Sequence, residues 1–168
     1  MRITIVGMPA SGKSYLSKAI ADKLGIPHIQ IDRYWFEAGG RRGSHDTPNV
    51  DEVRSRIREK VVAAIEEDSW VSDGTYSRLQ PEIASKADTI IYLDIPLWRR
   101  LINHAERMLI GGRHSELSML DEIVFFAEII KRNVTRKPKL EQFLETYPDK
   151  TIVLHSRKEA DQYLQRLT

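Results

Sequence analysis

Short runs of β-branched and apolar residues alternate along the chain with longer stretches in which apolar side chains recur every three or four positions. The first kind reads as strands and the second as helices with one face on a core. Strands are predicted over Arg2 to Val6, Pro27 to Ile31, Trp70 to Ser72, Thr89 to Leu93 and Thr151 to Leu154. Alternation of this kind predicts an α/β domain on a parallel sheet, because parallel neighbours need a crossover long enough to hold a helix.

The periods between the strands place the helices. Leu16, Ala19, Ile20 and Leu24 mark one from Lys13 that stops at Gly25, a residue suited to the left-handed turn that ends a helix. Val50, Val53, Ile57, Val61 and Ile65 mark a second, for which Asn49 and Glu52 predict a capping-box start. From Tyr34 to Pro48 the period fails around Gly39, Gly40 and Gly43, which predicts a mobile excursion at the acceptor end of the site, spanning about 33–60 with the helix that follows. Helices over about Leu97 to Ile110 and Leu120 to Arg136 flank Gly111-Gly112 and predict a helical hairpin that acts as a lid over about 98–120. Pro138 interrupts the pattern, and a short helix through Phe143 and Leu144 precedes the last strand and a closing helix to Leu167. With no internal repeat or linker, residues 1–168 read as one domain.

Composition narrows the class. With 41% hydrophobic and 30% charged residues and no long apolar run, a soluble globular protein without a membrane span is expected. Met1-Arg2-Ile3-Thr4-Ile5-Val6 leads straight into a motif, which argues against a secretory leader and predicts a cytoplasmic location. The absence of cysteine excludes disulfides and thiolate chemistry. A net charge of +2 from nearly balanced acids and bases does not by itself indicate a nucleic-acid partner. The arginines at Arg41-Arg42, from Arg99 to Arg113 and from Arg132 to Arg136 read either as solvated helix faces or as local anion sites. A monomer is the default expectation.

Gly7-Met8-Pro9-Ala10-Ser11-Gly12-Lys13-Ser14 follows the first strand and opens the first helix, the setting in which a Gly-x-x-x-x-Gly-Lys-Ser pattern becomes a phosphate-binding loop, or P-loop. Gly7 and Gly12 let backbone N–H groups turn inward, and Pro9, Ala10 and Ser11 complete the loop. Lys13 can reach terminal phosphates as a mobile charge, Ser14 is placed to ligate Mg²⁺, and Tyr15 begins the helix beside the nucleotide. Asp32, Asp73 and Asp94 end strands at the edge where parallel sheets bind ligands. Asp32 is a candidate proton acceptor or acceptor-orienting group, and Asp73 a candidate Mg²⁺ group acting through water. Asp94 reads as a turn or cap. Arg33 could hold an acidic group of the acceptor, and Tyr34 or Trp35 could stack on a base or sugar or pack in a wall. The histidines have no metal-ligand spacing and read as ordinary surface or turn residues.

Together the P-loop, Ile29-Gln30-Ile31-Asp32, Trp70-Val71-Ser72-Asp73-Gly74-Thr75-Tyr76-Ser77-Arg78 and Ile90-Ile91-Tyr92-Leu93-Asp94-Ile95-Pro96 resemble the adenylate-kinase-related P-loop proteins often labelled DNA topology modulation protein. The resemblance implies a five-stranded parallel sheet in the order 2-3-1-4-5, ATP as phosphoryl donor and Mg²⁺ as cofactor. Asp73-Gly74 with Arg78 is similar to the Asp-Gly-x-x-Arg stretch of nucleoside monophosphate kinases, with one residue more and no proline, and implies that Gly74 and Arg78 meet the acceptor. The arginine-rich hairpin resembles their lid, so Arg107 and Arg113 are implied to close over phosphates, and Arg132 resembles the arginine of the next helix. The run Asp32-Arg33-Tyr34-Trp35-Phe36 is closer to shikimate- or gluconate-type kinases, which leaves nucleotide, nucleoside and small hydroxy-metabolite acceptors open.

Other classes fit less well. A GTPase would need an Asn-Lys-x-Asp motif and an Asp-x-x-Gly after an early strand, and neither is present. A P-loop ATPase that regulates nucleic acid is the alternative invited by the family label and the basic hairpin.

Overall fold

The computed structural model describes residues 1–41, 47–74, 78–110 and 119–167. Strands β1 (Arg2–Gly7), β2 (His28–Gln30), β3 (Trp70–Asp73), β4 (Thr89–Leu93) and β5 (Thr151–Leu154) form one sheet in the order β2-β3-β1-β4-β5. Each pairing is parallel. The helices are α1 (Lys13–Leu24), α2 (Ile31–Glu37), α3 (Val50–Ile65), α4 (Gln80–Lys86), α5 (Leu97–Ile110), α6 (Met119–Thr135), α7 (Lys137–Leu144) and α8 (Arg157–Arg166).

Residue alternation in β1 divides the core. Ile3 and Ile5 point to one face, where they join Leu16, Ile20 and Ala21 of α1 and Ala160 of α8. Val6 faces the other way, with Ile57 and Val61 of α3, Ile83 of α4 and Leu140 of α7. Full burial of a side chain the size of Ile20 or Ile57 contributes about 1.5–3 kcal/mol, so these two layers fix the sheet and hence the position of its carboxyl edge. Thr4 and Ser72 are the polar exceptions inside, and the Ser72 hydroxyl donates to Thr4 Oγ1 at 2.9 Å across the β1–β3 pair.

Sequence and structure differ at particular points. The start of the expected excursion is helical: α2 runs from Ile31 to Glu37, with Ile31 and Trp35 buried. Asp32 therefore stands in the first turn of a helix instead of at a strand end. The glycines follow that helix, and residues 42–46 of the excursion lie outside the described residues. Asn49 is not a capping-box residue, since it adopts a left-handed backbone at φ 50° and its side chain makes no capping bond. A related cap lies at α8, where Ser156 Oγ accepts from Glu159 N at 3.2 Å and Glu159 Oε2 accepts from the N–H of His155, the residue before the cap, at 2.8 Å. Pro138 sits in the first turn of α7, a position that tolerates its missing N–H.

Candidate active site

The Gly7–Ser14 loop joins β1 to α1, and its conformation demands its residue types. A Cβ on Gly7 would lie 2.8 Å from the Leu93 carbonyl oxygen, because the sheet register places Gly7 opposite Leu93. Gly12 needs its freedom for another reason: it has φ 93°, and no atom lies within 4 Å of where a Cβ would stand. Ala10 takes a left-handed φ of 61° although it carries a Cβ, a conformation that costs about 1–2 kcal/mol. Tyr15 N and Leu16 N both donate to Gly12 O, at 3.1 Å each. The first-turn N–H groups of Lys13 and Ser14 have no partner within the helix, so the positive end of α1 faces the loop.

These features fit phosphate. Open space at Gly12, a helix N-terminus and Lys13 converge there, and the buried Ser11 hydroxyl has no hydrogen-bond partner among the described residues. The loop floors a cleft of about 920 Å³, within the range of a nucleotide-sized ligand. Asp32, Trp98, Arg99, Arg132, Arg136 and Arg157 line the same cleft. Tyr15 is at the cleft, with the Arg157 guanidinium 4.4 Å from its ring centre.

Lys13 Nζ donates to Met8 O at 3.1 Å. Burial lowers its pKa from 10.5 to about 8, against the opposing pull of Asp32 and Asp73 and with the charges of Arg100 and Arg132 adding to the fall. The two carboxylates diverge. Asp32 remains open to the cleft, yet desolvation by the surrounding protein raises its pKa above 3.8, helped by the charge of Asp73 and resisted by Lys13 and Arg132. Asp73 is buried, which alone would raise it, but His28, the Ser14 hydroxyl and the charge of Lys13 outweigh burial and hold it below 3.8. Asp73 therefore stays ionised beside Ser14. A hydroxyl and a carboxylate are hard oxygen donors, and such a sparse set suits Mg²⁺, which keeps several waters and takes its remaining ligands from phosphates. No cluster of three or more His, Asp or Glu ligands occurs among the described residues.

The remaining expectations divide. Gly7, Pro9, Ala10, Ser11, Gly12, Lys13, Ser14, Tyr15, Asp32 and Arg132 line one cleft. Trp35 does not line it: the ring is buried in the core, and its indole N–H donates to Arg41 O at 2.7 Å. Arg33 pairs with Glu37 one turn along α2 at 2.7 Å, on the exposed side of the helix. Gly74 has φ 120° and packs toward Ile31, while Arg78 is exposed and outside the cleft lining. Arg107 falls on α5, its side chain outside the described part of the structure, and Arg113 lies outside the described residues. Asp94 serves as a structural hub, 2.7 Å from Lys137 Nζ and accepting from the Tyr92 hydroxyl at 3.2 Å.

Two residues near the site escaped the sequence reading. His28, read as an ordinary turn residue, lies on β2 with Nε2 3.4 Å from Asp73 Oδ1. Arg100, one arginine among several in its stretch, is fully buried behind the loop. The visible signal for His28 was its place inside a strand next to the one that carries Asp73. For Arg100 it was its fall on the inward face of α5 together with His104.

No protein-family model matches the chain. It is 32% identical to a shikimate kinase of Mycobacterium ulcerans (strain Agy99) over 100 residues, 56% of this chain and 54% of that protein. It is 27% identical to an adenylate kinase of Thermosynechococcus vestitus (strain NIES-2133 / IAM M-273 / BP-1) over 143 residues, 69% of this chain and 71% of that one. The chain thus spans about half the length of the shikimate kinase. The crystal structure of shikimate kinase from Bacteroides thetaiotaomicron superposes with a TM-score of 0.63 at 18% identity, covering 99% of this chain and 95% of the other. Neither curated relative supports the DNA topology modulation group or its nucleic-acid reading. The fold is that of the shikimate-kinase-like P-loop proteins, with the five-stranded parallel order and flanking helices that the sequence resemblance implied.

Proposed function

We propose that this protein transfers the terminal phosphoryl group of ATP, with Mg²⁺, to a hydroxyl group of a small metabolite held beside Asp32. The carrying observation is that the P-loop, Lys13, Arg132 and Asp32 line one cleft, where burial drives Asp32 upward while Asp73 beside Ser14 is held downward. Environments that drive two carboxylates apart suit one to exchange protons and the other to remain an anion. The kinase relatives and the P-loop support phosphoryl transfer itself, and the choice of a hydroxyl acceptor rests on Asp32.

In this scheme the P-loop N–H groups and Lys13 would hold the phosphates, Ser14 and Asp73 would hold the metal, and Tyr15 and Arg157 would flank the base. Bound Mg²⁺ supplies charge neutralisation across the phosphates. The acceptor oxygen bonds to the terminal phosphorus as the bond to the ADP oxygen breaks, and the acceptor proton passes to Asp32. Arg132 of α6 and Arg136, the residue that caps α7, approach the transferring group. Arg107 and Arg113 are assigned to the lid that excludes water.

A hydroxyl acceptor is favoured over a phosphate acceptor for a chemical reason. A phosphate oxygen is already ionised near neutral pH and needs no base, whereas a hydroxyl gains from a carboxylate with a raised pKa. The test is ADP formation with hydroxy acids, sugars, nucleosides and nucleoside monophosphates, using the unsubstituted protein and Asp32→Asn. Stimulation by a hydroxyl compound, lost in Asp32→Asn, supports the reading. Stimulation by a nucleoside monophosphate that survives the substitution replaces it with a nucleotide kinase.

A further inference from the structure

Arg100 carries a full charge into the protein interior, where its side chain is 1% exposed. Its hydrogen-bond partners are neutral oxygens, while the charge of Asp94 favours its ionised form. Nε donates to Ile95 O at 3.0 Å, Nη1 reaches Pro9 O at 3.5 Å, and Nη2 donates to Asn133 Oδ1. Burying a charge is costly unless hydrogen bonds compensate it. Packing therefore gives little reason for arginine at this point of α5, and its connections give a better one.

One limb of the guanidinium ends on the P-loop and another on α6. Asn133 adjoins Arg132, which lines the cleft. One turn further along α5, Asn103 Nδ2 donates to Ala10 O at 3.1 Å. Helix α5 thus grips two successive carbonyls of the loop, the second belonging to the residue in the left-handed conformation. In a trans peptide the N–H lies opposite the carbonyl. Tying the Pro9 carbonyl to Arg100 consequently turns the Ala10 N–H away from α5.

We propose that Arg100 is a positioning residue for the phosphate site: a buried cation that fixes the P-loop at Pro9 and joins it through Asn133 to the arginine-bearing face of α6. Loop and α6 then meet the phosphates as one unit. The proposal rests on the nucleotide reading above and adds a residue that touches neither nucleotide nor acceptor. Its charge also adds to the positive field at the site, since burial first and then Arg100 with Arg132 lower Lys13.

The experiment uses the unsubstituted protein, Arg100→Met, Arg100→Lys and Asn133→Ala. ADP affinity and thermal melting are measured for each, together with hydrogen exchange of the α6 amides with and without ADP. Arg100→Met leaves Ile95 O, Pro9 O and Asn133 Oδ1 without their donor, so it is expected to melt below the parent and, where folded, to bind ADP roughly ten- to hundredfold more weakly, the range that corresponds to one hydrogen bond to a charged group. Arg100→Lys recovers part of that loss, because a single ammonium cannot span acceptors on three segments. In the parent ADP slows exchange in both α1 and α6. In Asn133→Ala it protects α1 but no longer α6. A folded Arg100→Met that binds ADP as tightly as the parent overturns the proposal. Should Arg100→Met not fold, undiminished protection of α6 in Asn133→Ala overturns it equally. A parent protein that binds no ADP overturns the nucleotide reading itself, a different result from either.

Discussion

His28 on β2 reaches across to β3 and places its Nε2 3.4 Å from Asp73 Oδ1, while its Nδ1 lies 3.0 Å from Gln30 Nε2. An amide nitrogen can only donate, so Nδ1 accepts and the ring proton sits on Nε2, close to the carboxylate without completing a hydrogen bond to it. The divergence of Asp73 from Asp32 thus begins with a strand histidine that holds the anion in place.

His28→Ala is expected to destabilise the fold by about 1–3 kcal/mol, the penalty for leaving a buried polar group short of a partner. The pH dependence has a definite sign. Asp73 has a folded pKa below its unfolded value of 3.8. Its contribution to stability is therefore complete above that value and is lost as pH falls through the folded one. Urea unfolding at neutral and acid pH should show the substituted protein losing less stability on acidification than the parent.

Asp32→Asn should reduce kcat by about 10²–10⁴ while changing the KM for ATP little, as for removal of a general base that does not bind the donor. Because the folded pKa of Asp32 is raised above 3.8, the acid limb of kcat/KM in the parent, which reports the free protein, should lie above the usual aspartate range. That limb should be absent from the residual activity of the variant.

Lys13 predicts an effect on binding. With a pKa of about 8 in the free protein, it is partly neutral in mildly alkaline solution, and bound phosphates favour its charged form. ATP binding at pH 8–9 should therefore take up protons, and affinity should fall as pH rises through about 8. Calorimetry in buffers of different ionisation enthalpy measures the uptake. Lys13→Met should abolish the proton linkage along with most of the affinity.

The two loop glycines should fail differently. Gly7→Ala brings a Cβ to 2.8 Å from a backbone oxygen of β4, so it should lower the melting temperature as well as remove nucleotide binding. Gly12→Ala meets no protein atom within 4 Å, and its strain at positive φ costs about 1–2 kcal/mol. It should remain folded and lose binding, because its methyl group projects where the phosphates would sit.

The strands were legible because parallel strands are short and apolar, and even β5, with Ile152 and Val153 exposed, keeps an apolar run. β4 and β5 fall where expected, and the others differ by a residue at their ends. Helix α2 was hidden because its apolar period is brief and glycines follow at once, and its stability comes from burying Ile31 and Trp35. Trp35 could not be assigned from sequence between substrate and core, and the close approach of Gly40 settles it, since a Cβ there would stand 2.4 Å from the indole. The P-loop was readable as a local motif, whereas His28 and Arg100 act through residues distant in sequence, Asp73 and Asn133. Their roles depend on sheet order and helix packing, which no local spacing encodes.

The most direct measurement is acceptor-dependent ADP release from ATP and Mg²⁺ across hydroxy acids, sugars, nucleosides and nucleoside monophosphates, with Lys13→Met as the blank. One hydroxyl-bearing acceptor that raises turnover well above the blank, with the phosphate recovered on its oxygen, is the predicted result. ATP turnover no faster than the blank with every acceptor would contradict the assignment of this cleft to phosphoryl transfer.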